Sequence, residues 1–431
     1  MPVQAGRIES TAVTTRAAVV AGLILLAPGT VTYAAEGAPE IASIRRFVER
    51  QMRVSRLPAV ALAVVRPEQE IYAAVLSRES TDLTPDTPFL LGSVTKTITA
   101  LAIAQLADAG KLQFDDAVSK HLPGFALNAG DGGRTITLRQ LLTHTSGLRQ
   151  WSGHDRRAQR EGRFDHIAPA RPPGTRFEYS SLNYMILGKV VEAASGMPYG
   201  EYVRAHIFEP LDMGSSFTDL ESAREKGLVR GHWYAYGLAI PGQETQQPEP
   251  LVPAGFLISS ARDLGHYLSM LLNEGRFRGR QVVSREALGE MFRTWDGGAT
   301  GAGMAWGIGS TRIGHAGSTP TFSARLALLP EARYGIVILT NVNSGPFFPG
   351  TAAVMDGVSR IMLGEDAEPA RPDEILLKVG ILILVIVGAI RTFSRFRHWS
   401  QHGFPHRLSV SRRVALPLVK EAAAAAIVLF V

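Results

Sequence analysis

Pro88-Phe89-Leu90-Leu91-Gly92-Ser93-Val94-Thr95-Lys96-Thr97-Ile98-Thr99-Ala100 is the stretch on which the reading of this chain turns. Gly92 and Ser93 interrupt the chain just before an apolar-periodic run, 94–110, that stops at Gly110. That pattern predicts a loop followed by a helix with a glycine stop. Residues three apart share a helix face, so the Ser93 hydroxyl and the Lys96 amine are placed to meet. A serine hydroxyl is a poor nucleophile until a base takes its proton. Lysine serves as that base when burial or a nearby cation lowers its pKa; arginine does not. The chain has 38 Arg and only 7 Lys, and this is its single Ser-x-x-Lys. The spacing alone fits a helix start with an exposed lysine equally well, so the rest of the chain must decide.

At 431 residues the chain can bury a large core and holds more than one structural lobe. Its net charge of +6 belongs to the ends: the body from Glu36 to Arg371 has 35 basic and 35 acidic residues. A neutral body with basic termini argues against nucleic-acid binding and for targeting and membrane topology. With no cysteine there are no disulfides, no thiolate metal sites and no lipid-bearing N-terminal cysteine.

Residues 1–35 fit a secretory signal. Arg7 and Arg16 precede the apolar core Ala17–Ala27, and a small-residue region ends in Thr32-Tyr33-Ala34-Ala35. The competing reading is an uncleaved anchor, for which that core is short. Near the other end, Ile375–Ile390 is apolar apart from Lys378, which can snorkel; the expected span is 375–393. A buried core helix is the alternative. Residues 391–413 carry six Arg and no acid, so the segment 394–413 is expected in the cytoplasm and the body, 36–371, outside. The last stretch, 414–431, contains Pro417, Lys420 and Glu421 and reads as a marginal or incomplete second span.

The body reads as strands at both ends and helices between. An amphipathic helix near 39–54 precedes two strand-like runs, 58–65 and 71–76, joined by a turn containing Pro67. Runs 323–329 and 334–340 form a second hairpin around Pro330-Glu331-Ala332, followed by a helix near 350–363. Helical patterns fall at 94–110, 137–143, 181–196, 198–209, 260–274 and 284–293. The expected fold is α/β of the α+β type: one antiparallel sheet completed by distant segments, flanked by helices, with an inserted helical lobe and the site between the lobes.

Four further segments extend the Ser93–Lys96 signal. They are Leu141-Leu142-Thr143-His144-Thr145-Ser146-Gly147-Leu148, Pro173–Tyr184 with Tyr179-Ser180-Ser181 inside it, Pro253–Leu264, and Gly314-His315-Ala316-Gly317-Ser318. In this order they resemble the serine β-lactamase and penicillin-binding-protein superfamily, in its class C β-lactamase, D,D-carboxypeptidase and esterase branch. The likeness covers most of 40–345.

The resemblance implies a β-lactamase/transpeptidase-like fold and an acyl-enzyme on Ser93. Lys96 and Tyr179 would share the proton work, with the base between them left open. The N–H groups of Ser93 and Ser318 would form the oxyanion hole. Ser181, His315 and Gly317 would contact substrate, Gly317 by letting the edge strand come close. Two positions depart from the pattern. Ser181 stands where class C enzymes have asparagine; a shifted reading, Ser181-Leu182-Asn183, is the alternative to Tyr179. His315 stands where lysine is usual, which replaces a permanent cation by a group that titrates near neutrality.

His144 as a triad histidine is less favoured than a structural role in its loop. Trp151, Trp233 and Trp306 are candidates for a cleft lining or for ordinary core. No Gly-x-Ser-x-Gly, His-Glu-x-x-His or phosphate-binding loop occurs. The expectation is therefore a membrane-tethered, extracytoplasmic serine hydrolase acting on an ester or amide. It would need no cofactor and no metal, and its partners would be a small-molecule or peptide substrate and the membrane. The alternative is a membrane-associated penicillin-binding or sensor module with little turnover.

Overall fold

The computed structural model describes residues 37–80, 82–123, 136–149, 164, 169–235, 238–242, 247–295, 301–343 and 350–370, with isolated positions between 380 and 397. The main sheet is antiparallel. It contains β1 (Ala59–Arg66), β2 (Gln69–Ser77), β9 (Gly307–Ile308), β10 (Ile313–Ser318), β11 (Ser323–Leu329) and β12 (Tyr334–Thr340), in the order β2-β1-β12-β11-β10-β9. A smaller sheet joins β4 (Gly231–Ala235), β5 (Leu238–Gly242) and β13 (Val342–Asn343). Two-residue pairs join β3 (Phe89–Leu90) to β6 (Ile258–Ser259) and β7 (Arg276–Phe277) to β8 (Arg280–Gln281). The longer helices are α1 (Gly37–Ser55), α2 (Thr95–Asp108), α3 (Ser181–Ser195), α4 (Ala261–Leu272), α5 (Arg285–Phe292) and α6 (Gly350–Met362).

The centre of the sheet is made by the two ends of the domain. β1 runs against β12 with Val60 opposite Thr340 and Val65 opposite Gly335. Both strands are nearly continuous apolar runs because both sheet faces are covered. Val60, Leu62, Val64, Ile336 and Ile338 face α1 and α6 in one core. Ala61, Ala63, Val65, Val337 and Leu339 face α4 and the helical lobe in the other. Alternation along each strand sends successive side chains to opposite cores. On α1, Ile44, Phe47, Val48 and Met52 are buried at helical spacing, and Phe47 sits so close to α6 that a Cβ on Gly357 would collide with its ring.

The inserted lobe, between β2 and β9, holds α2, α3, α4 and α5. Helix α2 is buried nearly all round, with Ile98, Leu101, Ile103 and Leu106 in the core, which marks it as the lobe's central helix. The expected helix at 198–209 is three pieces instead: an α turn at Tyr199–Val203, a π turn at Arg204–Phe208 and a 3₁₀ turn ending at Leu211. The β4–β5 hairpin was not foreseen. Among the described residues no helix is long and apolar enough to cross a membrane. The proposed signal at 1–35, most of the proposed span at 375–393 and the segments beyond lie outside the described residues.

Candidate active site

Ser93 sits in a single 3₁₀ turn, Gly92–Val94, that leads directly into α2. Gly92 has φ +53°, a left-handed conformation that glycine adopts without strain. A Cβ at Gly92 would also collide with the backbone nitrogen of Ser318 at the end of β10. Gly317 makes the reciprocal fit. A Cβ there would strike the Leu91 carbonyl and lie 2.7 Å from Val94 N and 2.9 Å from Ser93 N. Two glycines thus let the β10 backbone and the nucleophile turn touch. Among the described residues β10 has no strand partner on its β9 side beyond Gly314, so its last residues present an edge beside Ser93.

One turn into α2, Lys96 is fully buried. Its Nζ donates to Ser93 Oγ at 3.1 Å and to Ser181 Oγ at 3.4 Å, and also to the Ala254 carbonyl. No carboxylate pairs with it among the described residues; the rings of Tyr179 and Tyr184 lie 5.1 Å and 5.7 Å away. Burial without a counter-ion lowers its pKa to about 7. From the other side the Tyr179 hydroxyl donates to the same Ser93 Oγ at 2.7 Å. Burial raises the Tyr179 pKa above its ordinary value, against a smaller opposing effect of the bond to Ser93.

Tyr179 is held by what stacks on it. The His144 ring lies 4.5 Å from the Tyr179 ring, centroid to centroid, and 5.3 Å from that of Tyr184. His144 Nδ1 accepts from the Ser180 backbone N–H and from the Asn183 side-chain amide, both at 3.1 Å. Asn183 Oδ1 in turn accepts from Ser146 at 2.7 Å. Burial, with Lys96 and His315 adding to it, pushes the His144 pKa well below the usual histidine range. The loop and the start of α3 are thereby locked together by neutral groups. This geometry puts Asn183 inside the loop network and Ser181 beside Lys96. His144 backs Tyr179 and bonds neither Ser93 nor Lys96, so no triad forms.

His315 lies on β10, two residues before Gly317. Its Nε2 is closed off from solvent and has no hydrogen-bond partner among the described residues. Burial first, and Lys96 second, lower its pKa to about 4, with backbone groups of Ala305 and Ser93 partly opposing. The ring is neutral at pH 7. Among the described residues no cluster of His, Asp and Glu suits a metal ion.

The role of the Pro253 segment was not visible beforehand. The segment 252–257, which opens with the short helix Val252–Gly255, lies across α2 and offers its backbone to three α2 side chains. Besides Ala254 and Lys96, Thr99 Oγ1 donates to the Pro253 carbonyl at 2.7 Å, and the Leu257 N–H donates to Thr95 Oγ1 at 3.1 Å. Backbone acceptors carry no residue-type signal; only the density of hydroxyls at Thr95, Thr97 and Thr99 hinted that α2 meets polar groups. Of the tryptophans, Trp306 is core, packed on Tyr267 and Phe292. Trp233 is exposed on β4, and Trp151 lies outside the described residues.

A serine in a turn at a helix start, with a buried lysine one turn on and a strand edge beside it, defines a serine hydrolase of the β-lactamase and penicillin-binding-protein superfamily. The beta-lactamase family matches residues 44–358, and the chain belongs to that family. Protein flp of Staphylococcus aureus is 27% identical over 317 residues, 70% of this chain and 63% of its own length, so the chain spans less than two thirds of that relative. Penicillin-binding protein 4 of Amycolatopsis lactamdurans is 30% identical over 316 residues, 66% of this chain and 81% of that protein. Among solved structures, the octameric penicillin-binding protein homologue from Pyrococcus abyssi superposes with a TM-score of 0.61 at 26% identity, covering 76% of this chain and 78% of that one.

Proposed function

We propose that the chain is a membrane-tethered, extracytoplasmic hydrolase that cleaves an ester or amide through an acyl-enzyme on Ser93. The observation that carries this reading is the meeting of Lys96 Nζ, at 3.1 Å, and the Tyr179 hydroxyl, at 2.7 Å, on Ser93 Oγ. With its pKa near 7, Lys96 is neutral in a large fraction of molecules at neutral pH and takes the Ser93 proton as Oγ attacks the carbonyl carbon. The N–H groups of Ser93 and Ser318 stabilise the oxyanion. As the tetrahedral intermediate collapses, the carbonyl–leaving-group bond breaks. Tyr179 gives its proton to the departing oxygen or nitrogen and regains one from Lys96. Water then attacks the Ser93 ester with the same groups acting in reverse.

The neutral His315 bears on the substrate. Its buried, unpartnered nitrogen offers a hydrogen bond but no charge, which favours an uncharged ester or amide over a substrate that needs a cation for its carboxylate. Tethering rests on the apolar run 375–390 and the six Arg that follow, which support a body outside the cytoplasm. Mass spectrometry after treatment with a fluorophosphonate tests the chemistry: the adduct should sit on Ser93, and an adduct elsewhere, or turnover surviving in Ser93→Ala, overturns the assignment. A panel of p-nitrophenyl esters, D-amino-acid amides, D-Ala-D-Ala peptides and nitrocefin then assigns the substrate class.

A further inference from the structure

The β4–β5 hairpin has two unlike faces. Trp233 stands opposite Ile240, and Leu238 lies two residues from Ile240 along the strand, so these three side chains share one face. On the other face Tyr234 and Ala239 pack against the core beneath α1, and the Tyr234 hydroxyl donates to the Ser55 carbonyl at 3.3 Å. The outward face leaves Trp233 48%, Leu238 57% and Ile240 48% exposed. Large apolar side chains grouped in this way mark an interaction surface.

Chain connectivity says what covers it. Ala370 is clamped to α1: its N–H donates to Gln51 Oε1 at 2.8 Å, and Gln51 Nε2 donates back to its carbonyl at 3.0 Å. Gln51 and Ser55 are one helical turn apart, about 6 Å. The hairpin and the exit of the C-terminal segment therefore leave the body at the same place. Only Arg371-Pro372-Asp373-Glu374 separates Ala370 from Ile375, and five steps of chain reach at most about 18 Å. Arg50, Arg53 and Arg56, all exposed, cluster at this end of α1 and suit anionic headgroups. Tryptophan beside basic residues is the composition of a membrane–water interface.

We propose that the outward face of the β4–β5 hairpin, with the arginines at the end of α1, docks on the bilayer that holds this chain's own C-terminal apolar segment. The proposal rests on the tethering reading above. The site lies at the same end of the sheet: the row Val60, Thr340, Ser323, Ser318 crosses three strand spacings, about 14 Å, from β1 to the oxyanion residue. Docking holds Ser93 near the lipid surface, where the substrate would be met.

The absence of cysteine makes the test direct. Single-cysteine variants of the full chain, Ile240→Cys, Ile383→Cys and Glu331→Cys, are spin-labelled and reconstituted in vesicles of phosphatidylethanolamine and phosphatidylglycerol. Glu331, in the β11–β12 turn at the far end of the sheet, reports on the aqueous side. Accessibility to oxygen, which partitions into lipid, is compared with accessibility to a water-soluble nickel chelate. The expected result is a label at 240 whose oxygen-to-nickel ratio is several-fold above that at 331, with the label at 383 deeper still. A deep label at 383 with an aqueous one at 240 overturns the docking and leaves the tether. An aqueous label at 383 overturns the tether and the docking with it. A label at 240 shielded from both relaxers shows that protein, not lipid, covers the patch, and also overturns the proposal.

Discussion

Lys96 and Tyr179 bond the same Ser93 oxygen, and burial moves their proton affinities in opposite directions. The lysine falls to about 7 and the tyrosine rises. At neutral pH the lysine is largely able to take a proton while the tyrosine keeps its own, which supports the proposal that Lys96 is the base and that Tyr179 carries a proton onward.

The acylation rate, as kcat/KM, should therefore rise with pH through about 7 and level off above it. Lys96→Arg keeps the charge but accepts no proton, so it should lose nearly as much as Lys96→Ala, about 10²–10⁴ in rate. Stopped-flow acylation across pH 5.5–9 checks both. A Lys96→Arg enzyme with near-normal rate would make Lys96 an electrostatic prop and Tyr179 the base.

Gly317→Ala should separate folding from catalysis. The new methyl meets backbone of the Leu91–Val94 turn, which has no side chain to swing aside. Overpacking of this kind costs about 1–3 kcal/mol, and a displaced oxyanion donor costs about 10²–10³ in kcat. Thermal melts and acylation kinetics should show a modest loss of stability beside a large loss of rate. Unchanged kcat would remove Ser318 from the oxyanion role.

His315, with its pKa near 4, stays neutral from pH 5.5 to 8.5. Preference for a neutral ester over nitrocefin should hold across that range. His315→Lys adds a cation for the carboxylate and should raise the relative kcat/KM for nitrocefin by roughly 10–100-fold, the worth of a hydrogen bond to a charged group. A strong preference for nitrocefin in the unaltered enzyme would refute the neutral-substrate reading.

The same shift has a sign for stability. Unfolded, His315 takes a proton near 6.5; folded, only near 4. Between those values the unfolded chain binds more protons, so stability falls as pH drops through the window, and His144, lowered likewise, adds to the slope. The urea midpoint should fall from pH 6.5 to 4.5, and His315→Gln should flatten that fall. An unchanged slope in the variant would show that His315 is not buried neutral.

The sheet was legible because its central strands are covered on both faces, leaving apolar runs at 59–65 and 335–339. The β4–β5 hairpin was not. Its apolar face points outward, and Pro241 with the masking of polarity by Trp233 and Tyr234 breaks any simple alternation. Residues 198–209 read as one helix because each piece is only about one turn long, too short for the pattern to separate π, α and 3₁₀ periods. In the site, Ser93, Lys96 and Tyr179 were readable as side-chain chemistry. The Ala254 carbonyl and the backbone contact at Gly92 and Gly317 were not, because what matters there is the peptide group that every residue has.

The pairing of β1 with β12 sets an order of events during synthesis. Ser93, Lys96 and Tyr179 are all made early, but the oxyanion strand β10 and the strand that seats β1 come only after residue 313. Contacts this distant in sequence form late and slowly. A nascent chain therefore carries Ser93, the proposed nucleophile, for about half its length before the strand beside it is made. It becomes a hydrolase only when its last strands arrive.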